Sequence, residues 1–129
     1  MKTIPEILDG AKTIAVVGWS EKPERPSHWI AAYLEKVGYT VTRVNPGLAA
    51  RGVPGVVAAI PQGVDVVDVF RSPEHVPAVV QEAIAAHAKV VWMQPGAENE
   101  TAAATARAAG LTALVGPCIY AEHRQRFGT

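Results

Sequence analysis

The chain has 129 residues, of which 49% are hydrophobic and 19% are charged, a size and composition that suit one globular domain and leave no room for two. Basic and acidic side chains number 12 each, so no overall charge draws the molecule to nucleic acid or to an acidic membrane. A single cysteine excludes an internal disulfide framework, and four scattered histidines predict no metal site. No leader pattern and no apolar run of about 20 residues occur, so we expect a cytoplasmic protein.

The first third of the chain predicts helix, strand and helix. Thr3 and Glu6 have the spacing of a capping box that opens a short helix. The run at 13–17 is β-branched and apolar, which is typical of a strand buried on both faces. Apolar residues then recur at helical spacing over 27–37, with Ser27 as the expected N-cap.

The middle of the chain predicts two more strands. Residues 39–44 alternate and end at the turn signal 45–47. The segment 48–63 is rich in glycine, proline and alanine, and it predicts a short helical turn, a loop and one edge strand. The apolar run at 64–70 predicts the next buried strand.

The last part repeats the strand and helix alternation. Ser72 is the expected N-cap of a helix over 73–84, and residues 89–93 form a strand. Asn99 is expected to cap an alanine-rich helix, and residues 111–115 form the last strand before a charged tail.

Strands that alternate with helices through short loops predict a parallel sheet, because each crossover packs its helix back on a sheet face. We therefore expect one α/β domain over residues 1–129, a Rossmann-like doubly wound parallel sheet of about five strands. Ligands of such sheets bind at the carboxyl ends of the strands. These ends are the loops at Gly18, Asn45, Phe70 and Gln94.

The loop after the first strand predicts a phosphate site, because it leads into a helix N-terminus with free N–H groups. It departs from the dinucleotide fingerprint G-x-G-x-x-G, since only Gly18 is in place and Ser20 stands at the second glycine. Asn45 ends the second strand where an NAD site would normally have an acidic residue. These features disfavour NAD, and the alternative is that the loop is only a tight turn.

Many ordered motifs resemble the small stand-alone CoA-binding protein family, which is related to the CoA-binding domain of the succinyl-CoA ligase alpha subunit. The resemblance covers nearly the whole chain. The motifs that carry it are Val17-Gly18-Trp19-Ser20, Arg25-Pro26-Ser27, Tyr33-Leu34, Gly38-Tyr39, Val44-Asn45-Pro46, the segments 64–71 and 88–96, Asn99-Glu100, Ala109-Gly110-Leu111, and Cys118 with Glu122-His123.

The resemblance implies a Rossmann-like fold that binds coenzyme A. It places the pyrophosphate near Gly18, Ser20 and the 25–27 turn. The adenosine end would lie by Asn45-Pro46 and Phe70-Arg71, and the pantetheine arm would run toward Gln94 and Gly96. The residues predicted to contact CoA are Gly18, Trp19, Ser20, Arg25, Pro26, Ser27, Asn45, Pro46, Phe70, Arg71, Val76, Gln94 and Gly96. Two positions depart from the family, because Trp19 replaces a small residue and Pro117 stands where a basic residue is usual.

Positive side chains near these loops fit the 3′-phosphate and pyrophosphate of CoA. The candidates are Lys22, Arg25, Arg43, Arg51 and Arg71. Arg71 is the favoured phosphate partner, and the alternative for each is an ordinary surface charge. Phe70 is placed either against the adenine or in the core, and Trp92 is expected in the core.

Cys118 and His123 suggest a nucleophile and its base, but a single buried cysteine is more often an apolar filler. No catalytic residue is therefore assigned. The resemblance also implies a binding module, because acyl transfer in the related ligase subunit needs a phosphohistidine from a second domain. The sequence thus predicts binding of CoA or an acyl-CoA without catalysis. The alternatives are an NAD(P)-dependent or CoA-thiol redox enzyme that uses Cys118, and an interaction protein with a vestigial pocket. No nucleic acid or membrane partner is expected, and a homodimer through the exposed helices is compatible with the pattern.

Overall fold

Strands and helices alternate along the chain in the computed structural model, which describes residues 2–128. The strands are β1 (Thr13–Val17), β2 (Thr40–Val44), β3 (Val56–Val57), β4 (Val66–Val69), β5 (Val90–Met93) and β6 (Thr112–Val115). The helices are α1 (Ile4–Gly10), α2 (Pro26–Lys36), α3 (Pro46–Ala50), α4 (Val76–Ala85), α5 (Glu100–Ala108) and α6 (Ile119–Phe127).

The six strands form one sheet in the order β3-β2-β1-β4-β5-β6, and every pair is parallel. The chain begins in the middle at β1, builds outward to β3, then returns to β4 on the other side of β1. The boundary between β1 and β4 is therefore the topological switch point. The predicted Rossmann-like fold is confirmed, with six strands instead of about five because the edge strand β3 has only two residues.

Each face of the sheet buries its own apolar layer. The alternate residues Ala15 and Val17 of β1 face the layer that α4 and α5 cover. Their neighbours Ile14 and Val16 face the layer that α1, α2 and α6 cover. Since both faces are covered, β4 and β5 are buried along their whole length, which explains why the sequence shows continuous apolar runs.

Of the four predicted helix caps, two are confirmed, one is wrong, and Ser72 lies at its expected position without a capping hydrogen bond. Thr3 and Glu6 form the capping box of α1, and Asn99 caps α5 by accepting from the N–H of Ala102. Ser27 is not the N-cap of α2, because Pro26 supplies the fixed φ of the first helical residue and Arg25 stands before it without a side-chain cap. Ser72 is the N-cap residue and Pro73 the first helical residue, as predicted, but the segment opens with a 3-10 turn before α4 and the Ser72 side chain forms no capping hydrogen bond.

Asp65 ties three strands together at their amino ends. Its Oδ2 accepts hydrogen bonds from the backbone N–H groups of Lys12 (2.8 Å) and Thr13 (3.0 Å) and from the Thr13 hydroxyl (3.1 Å). Its Oδ1 lies 3.1 Å from Nζ of Lys89. Partial burial alone would raise the pKa of Asp65, but these contacts outweigh it and hold the pKa at about 2.

Asp68, three residues further along, has the opposite environment. Its side chain is completely buried in β4, and neither carboxyl oxygen has a hydrogen-bond partner within residues 2–128. Burial raises the pKa of Asp68 well above its usual range, so the group is held in its neutral form.

The charged tail of the sequence forms α6, which packs against α1 and α2. The Tyr33 hydroxyl shares a hydrogen bond of 2.6 Å with Nδ1 of His123, and Arg126 pairs with Asp9. His123 also lies against the rings of Tyr39 and Phe127. Between residues 2 and 128, no helix combines the length and apolarity needed to cross a bilayer.

Candidate functional site

A cleft of about 640 Å³ opens at the carboxyl ends of β1, β4 and β5, on the switch point of the sheet. Its volume lies in the range of small-molecule sites. Its lining is Gly18, Ser20, Lys22, Arg25, Pro26, Ser27, Trp29, Ile30, Phe70, Arg71, Ser72, Gln94, Pro95, Gly96, Ala97 and Cys118. A second hollow, of about 840 Å³, lies near the amino end of β2 by His123 and Phe127, away from the edge where parallel sheets bind ligands.

Gly18 brings the loops after β1 and β4 into contact. Its φ is +89°, and a Cβ at this position would lie 2.4 Å from the carbonyl oxygen of Phe70. Its N–H donates to the carbonyl of Val44 at the end of β2. Only glycine fits this turn without displacing the backbone of the neighbouring loop, so the residue sets the floor of the cleft.

The loop after Gly18 folds onto the start of α2. The Oγ of Ser27 accepts from the N–H of Ser20 at 3.0 Å, and the Oγ of Ser20 accepts from the N–H of Lys22 at 3.1 Å. His28 adds a hydrogen bond between its Nδ1 and the carbonyl of Ser20, at 2.8 Å. The two serines therefore shape the loop, and the N-terminus of α2, which has no side-chain cap, stays directed to the cleft.

The five predicted cations divide into two groups. Lys22, Arg25 and Arg71 line the cleft, and none of them forms an ion pair in the part of the chain that the structure describes. Arg43 instead binds both carboxylate oxygens of Glu35, at 2.8 and 3.0 Å, and Arg51 pairs with Glu21. The cleft thus has three free positive charges beside a helix N-terminus.

Nine of the thirteen predicted contact residues line the cleft, and four lie elsewhere. Trp19 is buried and stacks on His28, with 5.1 Å between the ring centroids. Asn45 uses both ends of its side chain, since Nδ2 donates to the carbonyl of Trp19 and Oδ1 accepts from the N–H of Leu48. Pro46 begins α3 behind Asn45, and Val76 is fully buried in the core.

Phe70 packs against the core and also lines the cleft, so its contact with the core is confirmed and its stacking on adenine stays a prediction. Trp92 is completely buried, as predicted, and its Nε1 donates to the carbonyl of Pro117. Sequence reasoning missed Trp29 and Ile30 as lining residues. The available signal was their place near the start of the helix that follows the loop after β1.

Gln94 and Cys118 line the cleft from the segments that follow β5 and β6. Gln94 is only 3% exposed, and its Oε1 accepts from the N–H of Ile119 at 3.0 Å. Its Nε2 donates to no protein acceptor among residues 2–128 and is open to the cleft. Cys118 is half-buried and directly precedes α6. His123 packs among aromatic rings and does not line the cleft, so it is not positioned as a base for Cys118.

Known proteins resemble this chain in both sequence and fold. The family description "CoA binding domain" matches residues 12–124. The uncharacterized protein YneT of Bacillus subtilis is 38% identical over 123 residues, which cover 93% of this chain and 91% of YneT.

Two solved structures show the same architecture. A redesigned form of the protein PH1109 is 38% identical, with a TM-score of 0.90 over 98% of this chain and 91% of that one. A Thermus thermophilus protein is 32% identical, with a TM-score of 0.88 over 98% of this chain and all of that one. The sequence match, the parallel sheet and the cleft at its switch point agree, and the chain belongs to the CoA-binding domain family.

Proposed function

We infer that the cleft binds coenzyme A or an acyl-CoA, and that the chain is a binding protein rather than an enzyme that turns over a substrate. In this proposal residues 1–129 act as one CoA-binding domain in the cytoplasm. The observation that carries it is the grouping of Lys22, Arg25 and Arg71 in one cleft without acidic partners among the described residues.

The residues present fit the chemistry of CoA. Its pyrophosphate and 3′-phosphate need cations and N–H donors, which the three basic side chains and the start of α2 supply. Its pantetheine arm is largely apolar with two amide groups. The apolar wall of Trp29, Ile30 and Phe70 and the amide of Gln94 suit that arm.

Two observations favour CoA over NAD. The ribose of NAD is normally bound by an acidic residue at the end of the second strand, and here Asn45 occupies that position with its side chain committed to the loop backbone. The unpaired cations also suit a ligand with more phosphate charge than NAD carries.

Calorimetric titration with CoA, dephospho-CoA and NAD tests the proposal. We expect CoA to bind more tightly than the other two, and Arg71→Met to weaken CoA binding by about tenfold or more, because a charge-assisted phosphate contact is lost. Arg51→Met is the matched control, since Arg51 pairs with Glu21 outside the cleft. A CoA affinity weaker than millimolar, or tighter binding of NAD(P), would overturn the proposal.

A further inference from the structure

We propose that Cys118 captures CoA covalently, by exchange with a disulfide form of CoA. This step rests on the proposed function, because the nucleotide must first be held in the cleft. Reversible binding would be followed by a covalent step at Cys118. The substrate class is a mixed or symmetrical disulfide that contains CoA.

Cys118 lies where the thiol end of such a ligand would arrive. It lines the same cleft as the free cations, it is the single cysteine of the chain, and its sulfur is unbridged. The cations follow β1 and β4, whereas Cys118 follows β6, two strands beyond β4. Neighbouring strands are separated by about 4.8 Å, so Cys118 lies on the order of 10 Å along the edge from the β4 loop. A pantetheine arm can bridge that separation.

Gln94 gives an independent indication of a ligand beside this sulfur. Its side chain is almost wholly buried, yet Nε2 has no partner within the described residues and the residue lines the cleft. Nε2 is not sealed off from the cleft, so it is a free N–H donor that a ligand acceptor in the cleft can reach. The Oε1 of the same side chain accepts a hydrogen bond from the N–H of Ile119, the residue after Cys118.

The amides of pantetheine supply the acceptor that Gln94 lacks. Only a short ethylene spacer separates the last amide from the sulfur of CoA. A carbonyl bound by Nε2 of Gln94 therefore directs the CoA sulfur toward the start of α6, where Cys118 lies.

The exchange balances without an external oxidant. The Cys118 thiolate attacks the sulfur that CoA contributes to the disulfide, a new S–S bond forms and the old one breaks. The leaving thiolate takes up a proton equivalent to the one that Cys118 lost. One disulfide is consumed and one is made, and an excess of small thiol reverses the reaction and releases CoA.

Intact-protein mass spectrometry with symmetrical CoA disulfide tests the inference. Pantethine, the same disulfide without the nucleotide, is the matched reagent. We expect one added CoA per chain, removed by dithiothreitol, at a rate on the order of 100-fold above that with pantethine, because cleft binding positions the sulfurs. The advantage should disappear in urea and fall at least tenfold in Arg71→Met. Cys118→Ser should form no adduct.

Calorimetry with reduced CoA separates the two proposals. If reduced CoA binds but CoA disulfide reacts no faster than pantethine, the exchange is wrong and the binding function stands. If the advantage persists in urea, the reaction is not site-directed and the inference is also overturned. If reduced CoA does not bind, the binding function fails and this inference fails with it.

Discussion

Gly18 is the residue on which the geometry of the cleft most depends, because its backbone touches the loop after β4. We expect Gly18→Ala to destabilise the fold by about 2 kcal/mol or more, since its Cβ would meet the Phe70 carbonyl at 2.4 Å and its φ is +89°. Gly10→Ala is the control, because nothing lies within 4 Å of its added Cβ. Urea denaturation measures both, and an unchanged midpoint for Gly18→Ala would contradict the clash.

Asp65 predicts a loss of stability in acid. Its pKa is about 2 in the fold, below the ordinary 3.8, so its contribution is complete above pH 4 and is lost as the pH falls toward 2. We expect Asp65→Asn to cost about 2 kcal/mol at pH 7 and progressively less near pH 2.5. Lys89→Met should cost less, because Lys89 is mostly exposed and the backbone donors remain. Equal losses at both pH values would contradict this account.

Asp68 predicts the opposite dependence. Burial raises its pKa, so the folded state retains a proton that the unfolded state releases above about pH 4, and stability falls as the pH rises. Asp68→Asn removes the ionisation with little change of shape. Its unfolding midpoint in urea should match the wild type near pH 4 and exceed it at pH 7. A variant less stable than the wild type at pH 7 would show that the carboxyl has a partner in solution.

Site residues fixed by the backbone were predictable from sequence, whereas those decided by side-chain pairing were not. Gly18 follows a buried strand, so its position in the cleft follows from the topology. Arg43 and Arg71 look alike in sequence, but Glu35 engages one of them and leaves the other free. That choice depends on contacts between α2 and β2, which the linear order does not show.

At the scale of elements, the five longer strands were predicted to within one or two residues because each is an apolar run between turn signals, whereas the edge strand β3 was predicted without bounds. The helix ends were less predictable, because proline at the first position displaced the serine cap of α2. The tail was the largest gap. Most residues of α6 are charged or polar, so the sequence pattern does not single out the few apolar positions, such as Ile119, that pack α6 against the sheet.

The docking of α6 should weaken in mild acid. Burial lowers the pKa of His123, so the unfolded chain takes up a proton at about pH 6.5 that the folded chain resists, and stability falls as the pH drops below that value. Proton NMR titration should give a pKa below 6.5 for His123. His123→Phe should reduce the difference in unfolding midpoint between pH 7.5 and pH 5.5. A His123 pKa at or above 6.5 would refute the burial argument.

At the scale of the whole molecule, the strand order divides the chain into two contiguous halves. The first half forms β3-β2-β1 and the second forms β4-β5-β6, so within the sheet they meet along β1 and β4, and α6 adds contacts to α1 and α2. We expect a chain cut between the exposed residues Ala58 and Ala59 to yield fragments that are unfolded alone and form a folded 1:1 complex when mixed. Circular dichroism and light scattering measure this. Independent folding of either fragment would contradict it.

The cleft straddles that same boundary between β1 and β4. Ser20 and Arg25 come from the first half of the chain, whereas Arg71, Gln94 and Cys118 come from the second. A molecule that contacts both sets of residues binds only the assembled complex. The affinity of the fragments for each other should therefore rise with the concentration of that molecule. Attached to the halves of a split luciferase, the two fragments would become a light-emitting sensor, and its response would report the free level of whatever small molecule the cleft accepts.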